Sequence, residues 1–114
     1  MSSSKPLPPW LNQVCALMAA QFRERITVTE LAQAAGVHPV YLARVFRTYF
    51  DCSINDYLLA LRLKYALRLL ENHELSLTAI ALESGFCDQG HFSKNFKRVY
   101  GISPGEYRKT KFGA

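Results

Sequence analysis

Residues 54–72 read INDYLLALRLKYALRLLEN, and the spacing of their apolar positions decides how the chain is organised. On a helix of about 100° per residue, Ile54, Tyr57, Leu58, Leu61, Tyr65 and Leu69 fall on one stripe, and Leu59, Leu63, Ala66, Leu67 and Leu70 on the opposite one. Asn55 and Arg62 along one edge, with Lys64 and Glu71 along the other, keep the stripes apart. A surface helix buries a single stripe, so this pattern predicts a helix held between two bodies. Nineteen helical residues span roughly 28 Å.

The same plan stands on either side of that helix. Upstream, Thr27-Val28-Thr29-Glu30 is a capping box, in which the threonine hydroxyl satisfies a first-turn amide and the glutamate reaches back to Thr27. The short helix it opens runs to Ala35, Gly36 ends it in the left-handed conformation, and Pro39 restarts a helix, PVYLARVFRTYF, to about Phe50. Downstream, Ser76 caps a helix through Ser84, Gly85 turns the chain, and Asp88 caps QGHFSKNFKRVY to about Tyr100. Residues 27–50 and 76–100 are therefore each expected to form a helix-turn-helix.

Thr27, Leu31, Ala32, Gly36 and Val37 match Ser76, Ile80, Ala81, Gly85 and Phe86 at an offset of 49 residues. After one inserted residue, Leu42, Arg44, Phe46, Arg47, Phe50, Ser53, Asp56 and Tyr57 match Phe92, Lys94, Phe96, Lys97, Tyr100, Ser103, Glu106 and Tyr107 at 50. The sequence is an internal duplication with two copies. Ahead of it, Leu11, Val14, Cys15, Met18 and Phe22 predict a helix from Pro9 or Trp10 to about Glu24, preceded by a Ser/Pro-rich arm or linker remnant over residues 1–9. Behind it, Pro104 opens a short last helix through Tyr107 and Arg108, and residues 109–114, KTKFGA, read as a mobile tail. Every element is helical, so the expected fold class is all-α.

Composition narrows the function. Hydrophobic residues make up 49% of 114, with seven Phe and six Tyr, enough for one domain or two small ones sharing a helix. No window reaches eighteen uncharged apolar residues, and MSSSKPLPPW lacks the apolar core of a signal peptide, so a cytoplasmic protein with no membrane partner is expected. Cys15, Cys52 and Cys87 form no C-x-x-C pair, and His38, His73 and His91 are scattered; they read as reduced thiols and isolated imidazoles, with no metal or cofactor site. No nucleophile–base constellation or Gly-rich phosphate loop marks an enzyme. The net charge of +5 favours a polyanionic partner, and its meaning depends on where the charges fall.

They fall on two helix faces. In residues 39–50 the apolar face is Leu42, Val45, Phe46, Tyr49 and Phe50, opposite Val40, Ala43, Arg44 and Arg47. In residues 88–100 it is Phe92, Asn95, Phe96, Val99 and Tyr100, with Asn95 the polar exception, opposite Gly90, Ser93, Lys94 and Lys97 with Arg98 at the edge. A slim basic helix face is what the major groove of duplex DNA admits. Arg44 can bond guanine O6 and N7 together, and Val40 and Ala43 can lie against thymine methyls. Gln89 can pair with adenine, touch phosphate or stay solvated, and Ser93 or Lys94 can meet bases or phosphates. Arg47, Lys97 and Arg98, farther along, suit phosphates, which hold register without reading sequence. His91 is expected to pack or cap. Two such helices entering successive major grooves lie about 34 Å apart, so one chain can read an asymmetric, direct-repeat-like site. The rival reading is a protein-interaction module whose basic faces bind acidic patches, with only nonspecific DNA affinity.

These residues resemble the DNA-binding domain of the AraC/XylS family of bacterial transcription regulators over about Trp10 to Arg108. The likeness rests on LAQAAGV, YLARVF and LRLKYALRLL, and above all on ESGFCDQGHFSKNFKRVYGISPGEYR. It implies a seven-helix, all-α domain in which a long helix joins two helix-turn-helix units, and sequence-specific promoter binding, usually activating through RNA polymerase. By position it places base reading on Val40, Ala43 and Arg44 and on Gln89, Gly90, Ser93 and Lys94. His38 stands where the family commonly has a Ser cap, Gly90 where it often has a polar side chain, and Lys94 where Arg is frequent. Lysine lacks the bidentate fork, so the second unit is expected to read bases more weakly and mainly to hold the backbone. Family members usually carry a sensing or dimerising domain on the N-terminal side; without one, this chain is expected to be a monomer, either a fragment or a small stand-alone member.

Overall fold

The computed structural model describes residues 6–112, and the regular structure among them is entirely helical. The elements are α1 (Pro9–Gln21), α2 (Val28–Ala35), α3 (Pro39–Phe50), α4 (Ile54–Leu69), α5 (Leu77–Glu83), α6 (Gln89–Tyr100) and α7 (Pro104–Phe112). The chain divides into two compact units, Met1–Leu61 and Arg62–Ala114, with the boundary inside α4. Most of the expected arm, residues 1–5, and the last two residues of the expected tail lie outside the described residues.

In the first unit the capping box forms as its spacing demands. The Glu30 amide donates to the Thr27 hydroxyl at 3.1 Å, and the Thr27 amide donates to Glu30 Oε1 at 2.9 Å. Gly36 ends α2 at φ 73°, letting the Val37 amide reach the Ala32 carbonyl at 3.0 Å. Leu11, Val14, Met18, Leu31, Ala32, Leu42 and Phe46 form a core that Ile54 and Leu58 of α4 complete. Leu7 packs against that core and α1 already starts at Pro9, so packed chain begins within the stretch expected to be a free arm. α1 stops at Gln21, short of the expected Glu24, where the Glu24 amide turns back to the Gln21 carbonyl at 2.9 Å.

The second unit repeats these devices. Ser76 accepts from the Ala79 amide at 3.0 Å and Asp88 from the His91 amide at 2.8 Å. Gly85 takes φ 99°, and the Phe86 amide reaches the Ala81 carbonyl at 2.9 Å. Leu63, Ala66, Leu70, Ile80, Ala81, Phe86, Phe92 and Phe96 are its buried apolar side chains. After the long helix of each copy a serine caps the next: the Asp56 amide donates to Ser53 at 3.0 Å, the Glu106 amide to Ser103 at 3.1 Å. The rings agree as well. Tyr57 stands edge-on to Phe46 at 5.4 Å, and Tyr107 edge-on to Phe96 at 5.6 Å. The duplication read from residue types is thus a duplication of hydrogen bonds and ring contacts.

Both long helices end through a left-handed residue whose amide returns to the preceding turn. In α6 it is Gly101, at φ 85°; in α3 it is Asp51, at φ 60°, a conformation that aspartate tolerates better than most side chains.

Two further helix ends differ from the sequence expectation. α4 stops at Leu69, not Asn72, so its sixteen residues span roughly 24 Å. The Arg108 side chain takes the carbonyls just beyond that end: Nε donates to Leu70 at 3.1 Å, one terminal nitrogen to Leu75 at 2.9 Å and the other to Asn72 at 3.1 Å. The Asn72 side chain meanwhile accepts from the Glu74 amide at 3.0 Å, a local turn that competes with another helical step. α7 runs past Arg108 to Phe112, through most of the stretch expected to be mobile. Glu106 caps its start, and hydrogen bonds from the Ser103 amide and hydroxyl hold the Glu106 carboxyl below the usual carboxylate range. Lys109 and Lys111 sit in its last turn, where positive charge suits the helix dipole.

Candidate nucleic-acid interface

α3 is pinned from behind and open in front. Leu42 and Phe46 are fully buried, Val45, Tyr49 and Phe50 half-buried against the same core, and Val40, Ala43, Arg44 and Arg47 exposed, Val40 at 62%. The helix contains no Asp or Glu. Its start is held by His38, whose Nδ1 accepts from the Val40 amide at 3.1 Å. A ring nitrogen therefore does what a serine hydroxyl does at such a position, followed by Pro39 in the first turn. His38→Ala should destabilise the first unit by about 1 kcal/mol in chemical denaturation, with His38→Ser restoring it. An alanine variant as stable as wild type would deny the cap any energetic role. Arg47 borders a shallow depression of about 160 Å³ that it shares with Val28, Ala43, Ser53, Ile54 and Asn55.

α6 presents Gln89, Gly90, Lys94, Lys97 and Arg98 to solvent, with Ser93 half-buried, and it too lacks any acid. Phe92 and Phe96 are its fully buried anchors. Val99 and Tyr100, expected on the buried face, are instead 50% and 39% exposed. Val99 lacks the reach of its counterpart Tyr49, and Tyr100 packs on Phe96 at 4.7 Å with part of its side chain open to water. Asn95, the polar exception, satisfies itself on its own helix: its amide donates to the His91 carbonyl at 2.8 Å, and its oxygen accepts from Arg98 at 3.0 Å. His91 packs edge-on to Phe86 at 5.6 Å.

The side chain of Gln89 is held. The Thr78 hydroxyl, from the first turn of α5, donates to Gln89 Oε1 at 3.0 Å. Helical periodicity has nothing to say about a pair eleven residues apart on different helices, so Thr78 carried no signal as a site residue.

The described residues 31–110 match a family model for a helix-turn-helix domain. The chain is 38% identical over 101 residues to the HTH-type transcriptional regulator GbdR of Pseudomonas aeruginosa, a match covering 89% of this chain and 28% of that protein. It thus spans less than a third of that curated relative. Among solved structures it is similar to a transcriptional regulator of Chromobacterium violaceum described as containing an AraC-type DNA-binding domain, at TM-score 0.80 and 33% identity, covering 88% of this chain and 89% of that one. It is also similar to the DNA-binding domain of AdpA, a global transcriptional factor solved in complex with a target DNA, at TM-score 0.82 and 29% identity, covering 88% and 90%.

Proposed function

Since the chain belongs to the AraC-type helix-turn-helix family of transcription regulators, we propose that it reads a specific sequence in duplex DNA at promoters, with α3 and α6 as its two probes. The carrying observation is that each duplicated unit offers one capped helix, buried along its back on two phenylalanines or a phenylalanine and a leucine, whose exposed front is basic and acid-free. Such a face suits the major groove in shape and charge.

In this reading Arg44 reads guanine, Val40 and Ala43 meet thymine methyls, and Gln89, Gly90, Ser93 and Lys94 form the base-facing surface of the second unit. Arg47, Lys97 and Arg98 hold phosphates. The depression beside Arg47, lined also by Ser53 and Asn55, suits a phosphate oxygen. Tandem copies with unlike contact residues favour an asymmetric site spanning two successive major grooves, bound by one copy of this chain. Acting in the bacterial cytoplasm without catalysing a reaction, the protein would activate transcription through contact with RNA polymerase.

Paired substitutions test the assignment. Arg44→Ala should cost on the order of 1–3 kcal/mol on the best site and relax preference at one base position. Lys97→Ala should weaken binding to all sequences alike and lower the salt slope by about one. Equal losses on specific and random DNA for Arg44→Ala would contradict its role, and affinity blind to sequence at every salt would point to a protein-interaction module.

A further inference from the structure

We propose that Thr78 is a positioning residue for sequence reading: its hydroxyl holds the Gln89 carboxamide in one orientation, so that Gln89 discriminates a single base pair. The inference rests on the reading of α6 as a DNA probe and adds to it a residue that need not touch a base.

Thr78 is the second residue of α5, so no helical carbonyl lies four residues before it to take its hydroxyl proton. Thr48, in the body of α3, shows the usual alternative, donating back to the Arg44 carbonyl at 3.0 Å. Freed from that bond, the Thr78 hydroxyl donates to Gln89 Oε1 at 3.0 Å. Gln89 is the first residue of α6, at the end where a helix laid into a groove meets base edges.

A carboxamide carbonyl has two lone pairs, and Thr78 occupies one. The other, with the two N–H donors, remains for a base. Adenine is the base that offers a matching pair, its N6–H₂ donating to Oε1 and its N7 accepting from Nε2. An untethered glutamine can turn its amide over and accept other acceptor and donor pairs, and it must be immobilised when it binds. The tether removes both freedoms. The first unit has no counterpart: Thr29 corresponds to Thr78, but the position corresponding to Gln89 is Pro39. This device therefore belongs to the second unit alone and gives its weaker, lysine-bearing face a point of discrimination.

The experiment is selection from a random duplex pool, followed by competition binding, with wild type, Thr78→Val, Thr78→Ser, Gln89→Ala and the Val/Ala double variant. Thr78→Ala serves as a second hydroxyl-free variant should valine disturb the turn. Gln89→Ala and Thr78→Val should lose preference at the same base pair, Thr78→Val by roughly three- to tenfold in discrimination, a typical hydrogen-bond effect. Thr78→Ser should keep the preference, and the double variant should do no worse than Gln89→Ala. Equal loss on all sequences for Thr78→Val, or additive losses in the double variant, would overturn the proposal and assign Thr78 to the backbone or the fold. Gln89→Ala with every base preference intact would overturn it together with the role of Gln89. No preference in wild type would overturn the DNA-reading assignment on which it rests.

Discussion

Phe96→Ala is expected to lower folding stability by about 3–5 kcal/mol, as truncation of a fully buried phenylalanine does. The side chain is 0% exposed. Its ring lies 5.7 Å from Phe92, 4.7 Å from Tyr100 and 5.6 Å from Tyr107, so three rings from α6 and α7 would line the space left behind. Phe92 is itself fully buried and Tyr107 half-buried, which leaves little that can move into the void. Against the roughly 5–15 kcal/mol that ordinarily separates folded from unfolded domains, this loss removes much of the margin. Chemical denaturation followed by circular dichroism measures it, while fluorescence of Trp10, the single tryptophan, reports on the first unit. A change below about 1 kcal/mol would mean that the site collapses freely and that Phe96 does not anchor α6.

Arg108→Ala is expected to cost about 3 kcal/mol, for a different reason. One guanidinium serves three carbonyls, those of Leu70, Leu75 and Asn72, and the bonds to Leu70 and Leu75 are partly buried. The Asn72 carbonyl keeps its bond from the Leu75 amide, but those of Leu70, just past the end of α4, and Leu75, in the turn before α5, lose this donor and are left to be solvated where water has limited access. A cation near a helix C-terminus is also favoured by the dipole, and the two contributions are separable. Arg108→Lys keeps the charge but not the planar fork, and it should recover less than half of the loss. Full recovery by lysine, measured in the same denaturation experiment, would show that charge near the end of α4 is all that matters.

The devices that act within a few residues were legible in the sequence. The Thr27–Glu30 box, the Ser76 and Asp88 caps and the turns at Gly36 and Gly85 stand where side-chain chemistry placed them. Features set by distant partners were not. α4 ends early where Arg108, thirty-eight residues from Leu70, takes the carbonyls just beyond it, and no periodicity encodes that. Val99 and Tyr100 fall on the apolar stripe of α6, but spacing cannot say whether anything packs over its last turn. His38 departs from the usual serine in type, yet its ring nitrogen makes the same bond. For the candidate interface, helical spacing distinguished the exposed front from the buried back along α3, and along α6 as far as Phe96 except at the half-buried Ser93. The tether between Thr78 and Gln89 joins two helices and became visible only with side chains in place.

Selection of bound duplexes from a random pool at physiological salt puts the central claim, two unlike probes on one chain, most directly at risk. The expected outcome is two different clusters of preferred base pairs centred about one helical turn apart, in direct-repeat orientation, bound roughly 10³-fold or more above random DNA. A pool that emerges with no enriched sequence, or with a single symmetric cluster, would contradict it.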